Sequence, residues 1–268
     1  MIVQVRLRIR EASESVQAAL AYPLYAWLLS QIPEQEGDRL HEQGMRPISQ
    51  YLWNNLQTRE NWWTVNLLND EAVECFLPVL ERKESAQLHQ RSIEFTSCEV
   101  ERIEDAHVFV RRAQKLSLEN RFPLELLTPT SFRQEGRYAI FPQESLILQS
   151  LIARWGMCFP EMPLDDPDAM QAMLRGLHIV DYRLQTLRHP LKQTRIPSFI
   201  GRVVLEARLP APLMEVFKTL YCFAPYSGLG VKTALGMGGV SIQVDKEQWN
   251  MERIRAFTLN TKDHRIAF

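Results

Sequence analysis

Histidine is the side chain whose unperturbed pKa lies nearest working pH, so it is the first place to look for proton-transfer chemistry. The chain has six: His41, His89, His107, His178, His189 and His264. His41 is followed by Glu42, Gly44 and Arg46 in a polar stretch between a predicted helix and a predicted strand. On composition alone this reads as a solvated loop histidine. His107 and His178 fall in strand-like runs and read as half-buried structural residues. His89, His189 and His264 have no motif around them. Tyr25, on the first predicted helix, reads by itself as a core aromatic.

The second chemical feature is Ala224-Pro225-Tyr226-Ser227-Gly228-Leu229-Gly230-Val231-Lys232-Thr233-Ala234-Leu235-Gly236-Met237-Gly238-Gly239-Val240. Five of the chain's eleven glycines lie in it. Such density implies backbone at positive φ, or backbone closely approached by something else. Exposed amides in such a loop can form a nest for an anion. No Gly-Lys-Thr/Ser occurs at the spacing of a Walker A loop, and Thr233 stands where a dinucleotide fingerprint needs its third glycine. The segment also follows a predicted helix and precedes a predicted strand, the reverse of both nucleotide motifs. A tight helix-to-strand connection and an anion site both remain open.

Bulk properties bound the alternatives. A chain of 268 residues accommodates two ordinary modules. Apolar residues make up 46% and charged residues 24%, the balance of a soluble globular protein. The net charge is −1, so any attraction for nucleic acid must be local. From Met173 to Gly239 the bases Arg175, Arg183, Arg188, Lys192, Arg195, Arg202, Arg208, Lys218 and Lys232 face only Asp181, Glu206 and Glu215. Cys75, Cys98, Cys158 and Cys222 are scattered, which suggests free thiols in a reducing, cytoplasmic setting and neither a zinc site nor a disulfide framework. No compact Asp/Glu/His cluster has ligand spacing, so no metal or cofactor is expected. Ser15 to Pro33 carries no charge, but Gln17, Pro23, Ser30 and Gln31 interrupt it, and a buried helix is expected instead of a membrane span.

Those residues need elements to hold them. Val3, Val5, Leu7 and Ile9 alternate with Gln4, Arg6, Arg8 and Arg10, a strand with one aliphatic and one basic face. A helix is expected within 16–32 and strands near 48–53 and 62–68. Asp70 and Glu71 open a helix to about Arg82, and strand-like runs return at 88–96 and 107–111. The second half repeats this order. Strands at 124–132 and 138–141 precede a helix from Glu144 to Trp155 capped by Gly156. A short helix starts at Asp166-Pro167, and strands at 177–187 and 198–208, a helix at 212–223 and a last strand at 239–244 complete it. Adjacent Trp62 and Trp63 read as core, with base stacking as the alternative. The fold class expected is α+β, with two tandem ferredoxin-like (RRM-like) βαββαβ domains, each a four-stranded sheet with helices on one face. The domains are placed at 1–120 and 121–245, with 246–268 as a tail.

The segment Phe223 to Gly238 resembles the C-terminal glycine-rich signature of the CRISPR repeat-processing endoribonucleases of the RAMP superfamily. Thr128-Pro129-Thr130-Ser131-Phe132-Arg133 followed by Phe141-Pro142 is similar to that family's mid-chain strand motif. Tyr25, then Leu40-His41-Glu42 and Arg46-Pro47-Ile48, resembles its N-terminal motif. The resemblance implies a tandem ferredoxin-like fold and cleavage of CRISPR precursor RNA within its repeats without a metal, giving 2′,3′-cyclic phosphate and 5′-hydroxyl ends. It implies catalytic roles for His41, Tyr25 and Arg46. It implies RNA binding by Gly228, Gly230, Lys232, Thr233, Gly236 and Gly238, with Arg195 and Arg202 among the nearby bases. The partner implied is the repeat region of precursor RNA. Other effector-complex subunits and a homodimer are admitted, and no membrane is involved. Two rivals remain: a non-catalytic RAMP subunit that only holds guide RNA, and a generic single-strand RNA-binding module.

Overall fold

A computed structural model describes residues 1–10, 18–37, 46–55, 58–82, 84–88 and 91–244. The N-terminal module runs β1 (Ile2–Ile9), α1 (Ala21–Leu29), β2 (Ile48–Asn55), β3 (Glu60–Leu67), α2 (Asp70–Arg82), β4 (Ser85–Leu88) and β5 (Arg91–Ile103). The period-two pattern of β1 buries Val3, Val5, Leu7 and Ile9 together, as expected of a strand lying on a core. α2 starts on Asp70 and Glu71 and ends on Arg82, each charge favouring its end of the helix dipole. The sheet is antiparallel in the order β2-β3-β1-β5-β4. It has five strands instead of the expected four, because β4 folds back on β5 as a hairpin.

α3 (His107–Lys115) follows where a strand was expected. Its β-branched Val108 and Val110 suggest a strand, but Phe109 and Ala113, four apart, bury one helical face. Phe109 meets Trp155, Phe159, Phe223 and Tyr226 edge-on, so this helix packs on the second module.

The C-terminal module begins with β6 (Arg121–Thr130) and a small hairpin of β7 (Phe132–Gln134) with β8 (Arg137–Ala139). Next come α4 (Glu144–Cys158) and α5 (Pro167–Gly176). Asp166 caps α5 by accepting from the Ala169 amide at 2.7 Å, with Pro167 at the first helical position. α4 does not stop at Gly156 but runs on to Cys158, where the Phe159 amide closes on the Trp155 carbonyl. β9 (Leu177–Leu191), β10 (Thr194–Ala207), α6 (Ala211–Ser227) and β11 (Val240–Ile242) complete the module. Its sheet order is β11-β6-β10-β9. Both sheets thus place the first strand between the third and the last, the ferredoxin-like arrangement.

The two cores interlock. Leu191 and Ile196, from the β9–β10 hairpin, and Ala234, Leu235 and Met237, from the glycine segment, sit in the N-terminal core. Ile2, Leu68 and Ile103 reach the C-terminal one. A charged clasp spans the seam: Arg112 of α3 donates to Glu101 of β5 (2.6 Å) and to the Tyr226 hydroxyl of α6, and that hydroxyl donates to Glu101 (2.8 Å). Among the described residues no helix is long and apolar enough to cross a membrane.

Candidate active site and nucleic-acid interface

Tyr25 is buried on α1, and burial raises its pKa, an effect partly opposed by the Arg46 guanidinium. That guanidinium stands 5.4 Å from the Tyr25 ring centre. Arg46 lies just ahead of β2, so a residue of α1 and a residue leading into β2 are held together although 21 positions separate them. His41 belongs to the stretch between them and lies outside the described residues, as do His89, His264 and the tail 246–268. Of the described histidines, His107 and His178 are exposed and not half-buried, since each points away from its element's core face. His189 is the unexpected one. It is 1% exposed on β9, its Nδ1 has no partner, and burial pushes its pKa down to about 4. It is therefore a neutral structural histidine close to the hairpin turn. No motif marked it, although the proline that follows it and the leucines at 187 and 191 could have suggested burial.

The glycine segment joins α6 to β11 as expected, and its backbone is engaged inside the protein. The amides of Gly228, Leu229, Val231 and Gly238 donate to the carbonyls of Ala224, Gly238, Ser131 and Pro129. Those of Gly230 and Gly239 donate to the hydroxyls of Ser150 (2.9 Å) and Thr128 (2.8 Å). The Thr128–Phe132 motif and the glycine segment are thus one hydrogen-bonded unit, a pairing that reading the two motifs separately did not reveal. Gly236 has φ near 96°, and a Cβ there would meet the Ala21 Cβ at 2.2 Å. A Cβ on Gly239 would meet the Tyr51 ring at 2.5 Å. Close approach accounts for these glycines.

Gln50 ties the segment to the N-terminal module. Its amide donates to the carbonyls of Ala21 on α1 (2.8 Å) and Ala234 in the segment (3.1 Å), and its oxygen accepts from the Trp63 indole (2.7 Å). Trp63 is fully buried and Trp62 stacks on Trp53, so this pair is core and not a base platform. What the segment turns outward is Lys232, exposed and left-handed at φ near 60°. Thr233 beside it is buried and accepts from Arg154.

The basic residues divide sharply. Arg6, Arg8 and Arg10 pair with Glu99 (2.7 Å), Glu60 (2.8 Å) and Glu94 (2.7 Å), so the basic face of β1 is neutralised. Arg208 pairs with Glu206, Lys218 lies by Glu215, and half-buried Arg202 lies 3.8 Å from Glu125. On the β9–β10 hairpin, Arg188, Lys192 and Arg195 are exposed, and no described carboxylate pairs with them. Lys192 sits at the turn, 5.4 Å over the Tyr22 ring of α1, one helical turn from Tyr25. Cations of this kind can hold phosphates. Among the described residues no group of three or more His, Cys, Asp or Glu is set to hold a metal.

A pair of tandem ferredoxin-like modules, the second carrying a glycine-rich segment between its last helix and last strand, is the class of architecture that the resemblance to RAMP proteins implied. Residues 124–240 match the family model for CRISPR-associated endoribonuclease Cas6. A Cas6 endoribonuclease of Streptococcus thermophilus is 32% identical over 230 residues, covering 85% of this chain and 93% of that one. One from Mycobacterium tuberculosis is 26% identical over 237 residues, covering 84% and 72%. Among solved structures, a Cas6 product complex superposes with a TM-score of 0.73 at 23% identity over 91% of this chain and 100% of that one. The chain belongs to the CRISPR-associated endoribonuclease Cas6 family.

Proposed function

We propose that this protein cuts CRISPR precursor RNA within its repeats, with no metal ion in the chemical step. Membership of the Cas6 endoribonuclease family carries this reading. The 2′-hydroxyl upstream of the scissile bond loses its proton to a base and its oxygen attacks the adjacent phosphorus. The bond to the 5′-oxygen breaks, and that oxygen takes a proton from an acid. The products are a 2′,3′-cyclic phosphate and a 5′-hydroxyl. His41 is the acid or base, since imidazole exchanges protons near neutral pH. Tyr25 orients the reacting groups, and Arg46 stabilises charge on the phosphorane. The closeness of Tyr25 and Arg46 at the two ends of the His41 stretch supports this grouping. Lys232, at the outward turn of the glycine segment, and Arg195 hold the RNA; Arg188 and Lys192 of the same hairpin, which no described carboxylate pairs, extend that surface; and Arg202, beside Glu125, contributes least. The modules divide near residue 120, the N-terminal one carrying His41.

Cleavage assays on CRISPR repeat RNA test this directly. His41→Ala should slow cleavage by roughly a hundredfold or more while leaving RNA affinity nearly unchanged. EDTA should leave the wild type active, and one 2′-deoxy substitution before the scissile phosphate should stop it. Activity lost to EDTA, or 5′-phosphate products, would overturn the scheme. Tight binding with no cutting by the wild type would favour a guide-holding subunit.

A further inference from the structure

Arg154 lies on α4 with only 7% of its surface exposed. Its buried neighbours along that helix are apolar: Leu146, Ile147, Leu148, Leu151, Ile152 and Trp155. A methionine would fill the same course at no electrostatic cost. The guanidinium instead places Nη2 on the Thr233 hydroxyl and leaves Nη1 buried with no partner. No described carboxylate pairs with it. The neighbouring titratable group that bears on it is Cys158, one turn on, whose thiol burial keeps neutral. Burial lowers the arginine only to about 10, so it stays charged at neutral pH.

One hydrogen bond to a neutral hydroxyl does not offset the desolvation of a guanidinium. A charge in that state is poorly screened, and its field reaches whatever anion approaches. Its position says where. One turn earlier on α4, Ser150 accepts from the Gly230 amide, and Arg154 itself reaches Thr233. α4 therefore grips the glycine segment on both sides of Lys232, the residue whose side chain faces out.

We propose that Arg154 is a positioning residue for RNA: a fixed positive charge behind the glycine segment that, with Lys232 in front, selects the turn at residues 230–233 as the seat of one RNA phosphate. This rests on the reading that repeat RNA is the ligand. The charge acts through the segment and touches no reacting atom.

The test uses the full chain and a repeat RNA made uncleavable by 2′-deoxy substitution, with melting temperature read beside affinity. Arg154→Met should melt at or above the wild-type temperature, because an uncompensated buried charge has been removed. It should bind the RNA about tenfold more weakly, the scale of one lost charge interaction. A purely structural arginine would instead lower the melting temperature and the affinity together, and that result overturns the proposal, as does unchanged affinity in a stable Arg154→Met protein. Should Arg154→Met not fold, Arg154→Lys decides: affinity within about threefold of wild type supports a role for the charge, and a tenfold loss overturns it. A wild type that does not bind repeat RNA sinks the proposed function itself. A wild type that binds, beside an equally tight Arg154→Met, sinks only this inference.

Discussion

The strand β1 and the turn end of the β9–β10 hairpin, residues 188–195, carry similar densities of basic side chains, yet among the described residues only the hairpin leaves them without a carboxylate partner. On β1, Arg6 lies directly across from Glu99 in the sheet register, and Arg8 and Arg10 find Glu60 and Glu94 on the neighbouring strands. On the hairpin, Arg195 lies across from Pro190, and Arg188 from Pro197. Neither partner has a charge to give. Basic residues become an electropositive surface only where their cross-strand neighbours leave them unpaired, and those neighbours are far away in sequence.

The widest way to break this contrast is to remove the hairpin charges. Replacing Arg188, Lys192 and Arg195 together by glutamine should weaken repeat-RNA binding roughly a hundredfold at moderate salt. The slope of log affinity against log salt should become shallower by about two units. An unchanged slope would mean that the hairpin does not meet phosphate. Next in size is Lys232→Ala, for which about a tenfold loss is expected, against little change for Lys218→Ala beside Glu215. Equal losses would deprive the glycine-segment lysine of any special place.

The third test concerns how the hairpin is anchored. His189 is neutral in the fold, with a pKa of about 4 against an ordinary 6.5, so the unfolded chain binds more protons between those values. Stability should be full above about pH 6.5 and fall progressively toward pH 4. Urea titrations should show a flatter acid limb for His189→Leu, and an identical limb would assign the acid sensitivity elsewhere. The smallest effect belongs to β1. Glutamine at positions 6, 8 and 10 should leave RNA affinity within about twofold and cost at most about 1 kcal/mol of stability per exposed pair. A tenfold loss of binding there would abolish the contrast.

Local signals in the sequence were strong where pattern and packing agree. The acidic start and basic end of α2, the Asp166-Pro167 cap and the alternation of β1 all reappear as expected. They failed where tertiary contact overrides local preference. α3 is a helix because Phe109 finds an aromatic pocket on the other module, which its two valines could not announce. The candidate site was legible only in part. Lys232 could be singled out in its glycine-rich setting, and Tyr25 and Arg46 through the family resemblance. Arg154 was invisible, since one arginine in an apolar helix ordinarily points to solvent and nothing local shows that this one does not. The neutralisation of β1 was equally hidden, because it depends on strand register.

The Gln50 amide has a further consequence. It binds the helix of Tyr25 and the turn beside Lys232 with the same nitrogen, and its oxygen is fixed by Trp63. Neither end can slide without releasing the other. If RNA is gripped at one end and cut at the other, the protein works as a gauge of fixed span. The break would then fall at a constant number of nucleotides from the held phosphate, whatever the sequence between them.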